Sequence, residues 1–141
     1  VRSFGSGFIF TTALPPALAY GALASVRYLQ SSHAERDRQK QQAETLKQKL
    51  RNVGMPILEG DTHIVPVMVN NAGQCTRICQ LLLNERQIYV QPINYPTVPK
   101  GTERLRLTPG PFHSDSMIDD LVDALQMAFS QIESETIKQA G

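Results

Sequence analysis

The residues whose types and spacing could do chemistry lie in the run Glu103-Arg104-Leu105-Arg106-Leu107-Thr108. Apolar and polar residues alternate there, and a strand sends successive side chains to opposite faces. Leu105 and Leu107 are therefore expected on one face, with Arg104, Arg106 and Thr108 together on the other. A guanidinium at the end of a short strand, beside a loop stiffened by Pro92, Pro96 and Pro99, can hold a carboxylate in a two-pronged, charge-assisted contact. The same pattern suits two solvated strand arginines. Pattern alone leaves both open.

Other polar residues carry weaker signals. Thr11 and Thr12 stand just before Ala13-Leu14-Pro15-Pro16, where a hydroxyl can cap a proline-started helix. The same hydroxyls could donate to a phosphate; capping is the role the pattern favours. Cys75 and Cys79 are four apart, on one face of a helix. They are read as small buried thiols and not a metal site, since no histidine is near in sequence. His63 is expected to pack at the start of a strand. His113 closes a proline-glycine loop without an assigned role, and Asn94 and Tyr95 could shape a pocket or its lid. There is no phosphate-binding glycine loop, no HExxH and no GxSxG, and no nucleophile–base pair stands out.

These side chains must be positioned by a chain of 141 residues, 41% of them hydrophobic, with a formal net charge of +1. That suffices for one domain or one lobe with a core. The charge balance argues for neither a nucleic-acid partner nor an anionic membrane surface. No apolar run reaches membrane-spanning length, so membrane insertion is not expected. Two cysteines imply no disulfide framework and favour a reducing compartment. The start at Val1 suggests a piece of a longer protein.

In chain order, Phe8–Phe10 reads as a short buried strand after a glycine-punctuated start. A helix runs from Ala17 to about Leu29, and Gln30-Ser31-Ser32-His33 kinks or interrupts it. Ala34 to Val53 continues as a charged helix with Leu46 and Leu50 on its apolar face, its Glu35-Arg36-Asp37-Arg38 run being a solvated face. Gly54 stops it and Met55-Pro56 leads out. His63 to Val69 is a strand that Pro66 confines to an edge or a bulge. Asn70-Asn71 turns the chain into an amphipathic helix, Ala72 to Arg86. Ile88–Val90 is a strand, as is the Arg104–Thr108 run. The last helix begins after a Ser114 cap, with Met117, Ile118, Leu121, Val122, Leu125 and Phe129 as its apolar stripe, and the tail from Glu133 frays. The economical packing is α/β: about three strands in a small sheet covered by helices.

Three stretches resemble the C-terminal part of the 5-aminolevulinate synthase family of α-oxoamine synthases. They are Val1-Arg2-Ser3-Phe4 with Gly7-Phe8-Ile9-Phe10-Thr11-Thr12 and Leu14-Pro15-Pro16; Thr62 with His63-Ile64-Val65-Pro66-Val67; and Ile88–Pro99 followed by Gly101–Pro109. The likeness runs from Val1 to about Met127. It implies a type I pyridoxal-phosphate transferase fold, with residues 1–14 ending the large cofactor domain, 15–53 connecting, and 54–141 forming the small domain. It implies a homodimer with its active site between subunits. The implied activity is condensation of glycine with succinyl-CoA, releasing CoA and carbon dioxide on the way to haem.

Residue by residue, the resemblance implies that Arg106 holds the glycine carboxylate and that Thr97 contacts substrate. Thr11 and Thr12 would reach the phosphate of the partner subunit's pyridoxal phosphate. Arg104 stays structural or solvent-facing. The family's Schiff-base lysine motif is absent from the sequence, so the chain alone is expected not to turn over. A sister α-oxoamine synthase and a non-catalytic interaction module are the competing expectations. The compartment would be the mitochondrial matrix for a eukaryotic source and the cytoplasm for a bacterial one.

Overall fold

Alternation along the chain becomes a three-stranded antiparallel sheet in the computed structural model, which describes residues 4–5 and 14–140. The elements are α1 (Pro16–Ser31), α2 (Ala34–Asn52), β1 (Val65–Met68), α3 (Ala72–Arg86), β2 (Gln91–Ile93), β3 (Arg104–Leu107) and α4 (Asp115–Ala140). The chain divides into two units, Val1–Ala34 and Glu35–Gly141. The expected strand Phe8–Phe10 and the pair Thr11 and Thr12 lie outside the described residues.

In the first unit, α1 opens with Pro16 at its first position, where the missing N–H costs no helical hydrogen bond. A threonine was expected at the cap. The cap position instead falls on Pro15, which has no hydroxyl; its carbonyl accepts from Leu18 and Ala19 N–H at 3.0 and 3.1 Å. The helix closes where Ser31 Oγ and Ser32 N–H both donate to the Tyr28 carbonyl. Ser32 then turns extended. The polar cluster interrupts the helix, as its composition predicts.

The second unit has two layers. The sheet order is β1-β3-β2, with Val67 opposite Leu105 and Leu105 opposite Pro92. Val65, Val67, Leu105 and Leu107 point to one side and are buried with Leu46 and Leu50 of α2, Ile78 and Leu82 of α3, and Ile118 and Leu125 of α4. Each such side chain removed from water contributes about 1.5–3 kcal/mol. Gly54 takes φ +73° to end the turn after α2, a conformation open to glycine at no steric cost.

Pro66 sits on the outer strand β1. Its carbonyl accepts from Leu58 N–H at 2.9 Å, and Met68 N–H donates to the Pro56 carbonyl at 2.7 Å. The backbone of alternate β1 residues thus faces away from β3, where the proline's missing donor breaks no bond of the sheet. Asn71 caps α3 by accepting from Gln74 N–H at 3.0 Å.

Three expectations are corrected. The strand after α3 is Gln91–Ile93 and not Ile88–Val90. Gln87 adopts the left-handed conformation and Ile88 N–H donates to the Leu82 carbonyl at 3.0 Å, so the helix cap uses the start of the β-prone run. On α4, Met117 is half exposed, while Ala124, Ala128 and Ile132 join the buried stripe; small residues fit where α3 and α4 approach closely. The tail does not fray at Glu133 but stays helical through Ala140. Arg77 donates to Glu135 and Gln74 to Thr136, tying the last turns to α3.

Candidate functional site

Strand β3 sorts its residues as alternation requires. Leu105 and Leu107 are buried, Arg104 is half-buried, and Arg106 and Thr108 are exposed. The two arginines differ in what they hold. Arg104 Nε donates to the Thr102 carbonyl at 3.0 Å. The Arg106 guanidinium has no side-chain hydrogen bond or ion pair among the described residues, and it lines a cavity of about 670 Å3. Its backbone lies in the middle strand, opposite Pro66 of β1 on one side and Gln91 of β2 on the other.

Arg86, Tyr89, Gln91, His113 and Asp120 share that cavity wall, with Leu46, Leu107 and Ile118 beneath. Arg86 reaches Met127 Sδ at 2.7 Å, and Tyr89 Oη donates to Gln91 Oε1 at 3.2 Å. Two guanidiniums without a carboxylate partner among the described residues, set against the one carboxylate of Asp120, leave the wall with an excess of positive charge.

The loop leaving β3 is fastened at several points. Gln39 Nε2 donates to the Pro109 carbonyl at 3.3 Å, and Gln42 Nε2 to Asp115 Oδ1 at 3.2 Å. Gly110 N–H donates to His113 Nδ1 at 2.8 Å while His113 N–H donates to the Gly110 carbonyl at 3.3 Å. Ser114 Oγ accepts from Met117 N–H at 3.2 Å, the cap its sequence position suggests.

Thr97 lies elsewhere. Arg106 pairs with Gln91 and Arg104 with Ile93, so the loop from Asn94 to Thr102 leaves the ladder at the Arg104 end. Thr97 is exposed on that loop, its N–H donating to the Asn94 carbonyl at 2.9 Å. It does not line the Arg106 cavity. Asn94 Oδ1 is buried without a partner among the described residues. Tyr95 is exposed beneath Lys100 Nζ at 5.3 Å, and the Tyr95–Pro96 bond is cis. Thr11 and Thr12 lie outside the described residues.

The cysteines are both free; Cys75 is buried and Cys79 half-buried on α3. Burial pushes the Cys75 thiol up from an ordinary 9.0 to about 12, helped by Cys79 and Glu103, and burial pushes Cys79 up to about 11. Such thiols are protonated and unreactive near neutrality. His63 is exposed. Sequence reasoning missed Glu103, only 4% exposed, whose carboxylate accepts from Gly101 N–H at 2.9 Å. Its position two residues after a turn glycine was the available signal.

The profile of aminotransferases of class I and II matches residues 1–125. The chain belongs to that family. Among this family's curated members, the 5-aminolevulinate synthase of Rhizobium meliloti is 56% identical over 131 residues, 93% of this chain and 32% of the relative. The mitochondrial 5-aminolevulinate synthase of Candida albicans is 44% identical over 136 residues, 96% of this chain and 24% of the relative. A high-resolution structure of SPT with PLP superposes at a TM-score of 0.83 and 30% identity, covering 94% of this chain and 33% of that one. The chain thus spans about a third or less of the length of the aminotransferase-family relatives it matches.

Proposed function

We propose that the protein to which this chain belongs is a 5-aminolevulinate synthase, a pyridoxal-phosphate-dependent acyltransferase. It would condense glycine with succinyl-CoA to 5-aminolevulinate, CoA and carbon dioxide at the start of haem and porphyrin biosynthesis. The observation that carries this reading is Arg106, exposed and without a side-chain partner among the described residues, on the wall of a cavity. It lies within a stretch that 5-aminolevulinate synthases match at up to 56% identity.

The donor chemistry fits the cofactor and its substrate. An unengaged guanidinium fork suits the carboxylate of an amino acid, and Thr11 and Thr12 would hold the cofactor phosphate of a partner subunit. Pyridoxal phosphate, when bound, supplies the electron sink for charge developing at the amino acid's α-carbon. Arg106 would hold the glycine carboxylate and so present the amino acid's α-carbon to the cofactor in a single orientation. A charge-assisted contact of this kind contributes about 1.5–3 kcal/mol. Thr97 would contact substrate from the loop between β2 and β3. The cofactor-linked lysine would come from the part of the relatives' length outside this match.

The same reading makes residues 1–14 the end of a large cofactor domain, 15–53 connecting helices and 54–141 the small domain of a homodimer. Its relatives include a bacterial protein and a mitochondrial one, so the compartment would be the cytoplasm or the mitochondrial matrix according to source. No described helix is long and apolar enough to cross a membrane.

The likeness to SPT supports a second reading, an α-oxoamine synthase using another amino acid or acyl-CoA. A chimera decides between them. This chain replaces the matched segment of the Rhizobium meliloti relative, and product formation is followed from glycine with succinyl-CoA and from glycine or serine with a long acyl-CoA. Formation of 5-aminolevulinate supports the first reading. A folded, cofactor-loaded chimera that turns over only the long acyl-CoA supports the second, and one that turns over neither removes both.

A further inference from the structure

Arg106 has no side-chain partner to hold it among the described residues, so its place is set by the backbone of β3 and by what fastens the chain just beyond. A guanidinium that must meet a carboxylate two-pronged needs placing to within about 0.5 Å. The chain beyond β3 runs Thr108-Pro109 along the cavity that Arg106 lines and then turns at Gly110. Gln39 holds the Pro109 carbonyl from α2. The next fastening is His113, which bonds twice across one turn: its Nδ1 accepts from Gly110 N–H at 2.8 Å, and its own N–H donates to the Gly110 carbonyl. His113 lines the same cavity as Arg106.

We propose that His113 is a positioning residue for Arg106, locking the β3–α4 turn through Gly110 so that the guanidinium meets the substrate carboxylate in register. The assignment rests on the synthase reading given above. Accepting at Nδ1 leaves the neutral ring's proton on Nε2. The lock therefore needs an acceptor atom bonded to Cγ, and asparagine has one in its Oδ1. Glutamine carries its oxygen one bond further out, and leucine has none.

The test uses the same chimera carrying His113→Leu, His113→Gln or His113→Asn. Glycine and succinyl-CoA kinetics are measured together with amide exchange over residues 107–114. The Leu and Gln variants are expected to raise the glycine KM about tenfold, since small misplacements of a positioning group cost this much or more. The succinyl-CoA KM should stay at the parent value, and exchange over the turn should quicken. The Asn variant should restore both glycine KM and protection. An active Leu or Gln variant with the parent glycine KM would overturn the proposal, as would an Asn variant as impaired as Gln. If the Leu variant does not fold, the Gln–Asn comparison decides. A parent chimera that makes no 5-aminolevulinate counts against the synthase reading, whereas an active parent with indifferent His113 variants counts against this inference alone.

Discussion

Arg104 and Arg106 leave the same face of β3 two residues apart, yet Arg104 is bound to the Thr102 carbonyl while Arg106 has no side-chain partner among the described residues. One guanidinium finishes a turn and the other lines a cavity. The difference follows from place along the strand. Arg104 is next to the loop whose carbonyls need donors, and Arg106 is beside a cavity wall.

Substitution should therefore separate them. In the chimera, Arg106→Lys is expected to raise the glycine KM by about tenfold or more, because an ammonium cannot reproduce the planar fork and part of a charge-assisted contact is lost. Arg104→Lys should leave that KM at the parent value. Steady-state kinetics with glycine varied check both, and equal effects at the two positions would refute the assignment.

Lys47 is 3% exposed on α2, its ammonium donating to Glu44 at 2.7 Å and to the Gly60 carbonyl at 2.8 Å. Lys47→Met keeps the aliphatic stem and removes both bonds, and it should cost about 1.5–3 kcal/mol, as for a hydrogen bond to a charged group. Urea unfolding measures it. A change below about 0.5 kcal/mol would place Lys47 with ordinary surface residues.

The two α3 thiols give a pH dependence. Their folded values are raised above the ordinary 9.0, to about 12 for Cys75 and about 11 for Cys79. Between those limits the unfolded chain has lost protons that the folded chain retains, so stability falls as pH rises. Their contribution is fully present below the unfolded thiol range and is lost as pH rises through the folded values. Urea midpoints at rising alkaline pH should drop more for the parent than for a Cys75→Ala, Cys79→Ala double variant. Parallel curves would contradict this.

The last turns of α4 offer a contrasting sign. Hydrogen bonds from Arg77, then from Gln131, hold the Glu135 carboxyl below its ordinary value. That contribution is present above the unfolded carboxylate range and disappears as pH falls through the lowered folded value. Both partners are well exposed, so the effect is small and salt-sensitive. Arg77→Ala should speed amide exchange from Ser134 to Lys138 while leaving that of Leu125 unchanged. Unaltered exchange at both places would show that the salt bridge does not hold the tail.

Much of this architecture was legible in the chain because local rules acted alone. Leu105 and Leu107 alternate with charged residues, Gly54 ends α2, and Ala72–Arg86 is helical over the expected range. The misses came where a neighbour decided. Ile88–Val90 has strong β propensity, but Gln87 and Ile88 are used to close α3, so pairing begins at Gln91. The polar tail after Glu133 looks frayed in isolation and is held by residues 58 positions away in sequence. At the site, alternation put Arg104 and Arg106 on one face and could not distinguish them. The Gly110–His113 lock was invisible, since nothing in a proline-glycine loop says which nitrogen a ring will present.

Pro66 and Pro92 have a joint consequence for how this sheet meets other molecules. Pro66 sits on β1 opposite Arg106 and Pro92 on β2 opposite Leu105, so each turns its donorless nitrogen to the outer side of its strand. The Pro56–Leu58 segment already covers the β1 rim. A stray extended peptide arriving at the β2 rim would find a gap where a donor should be. The sheet that presents Arg106 is thereby a poor template for copies of itself, which lets a protein keep a strand face open without inviting the growth of fibrils.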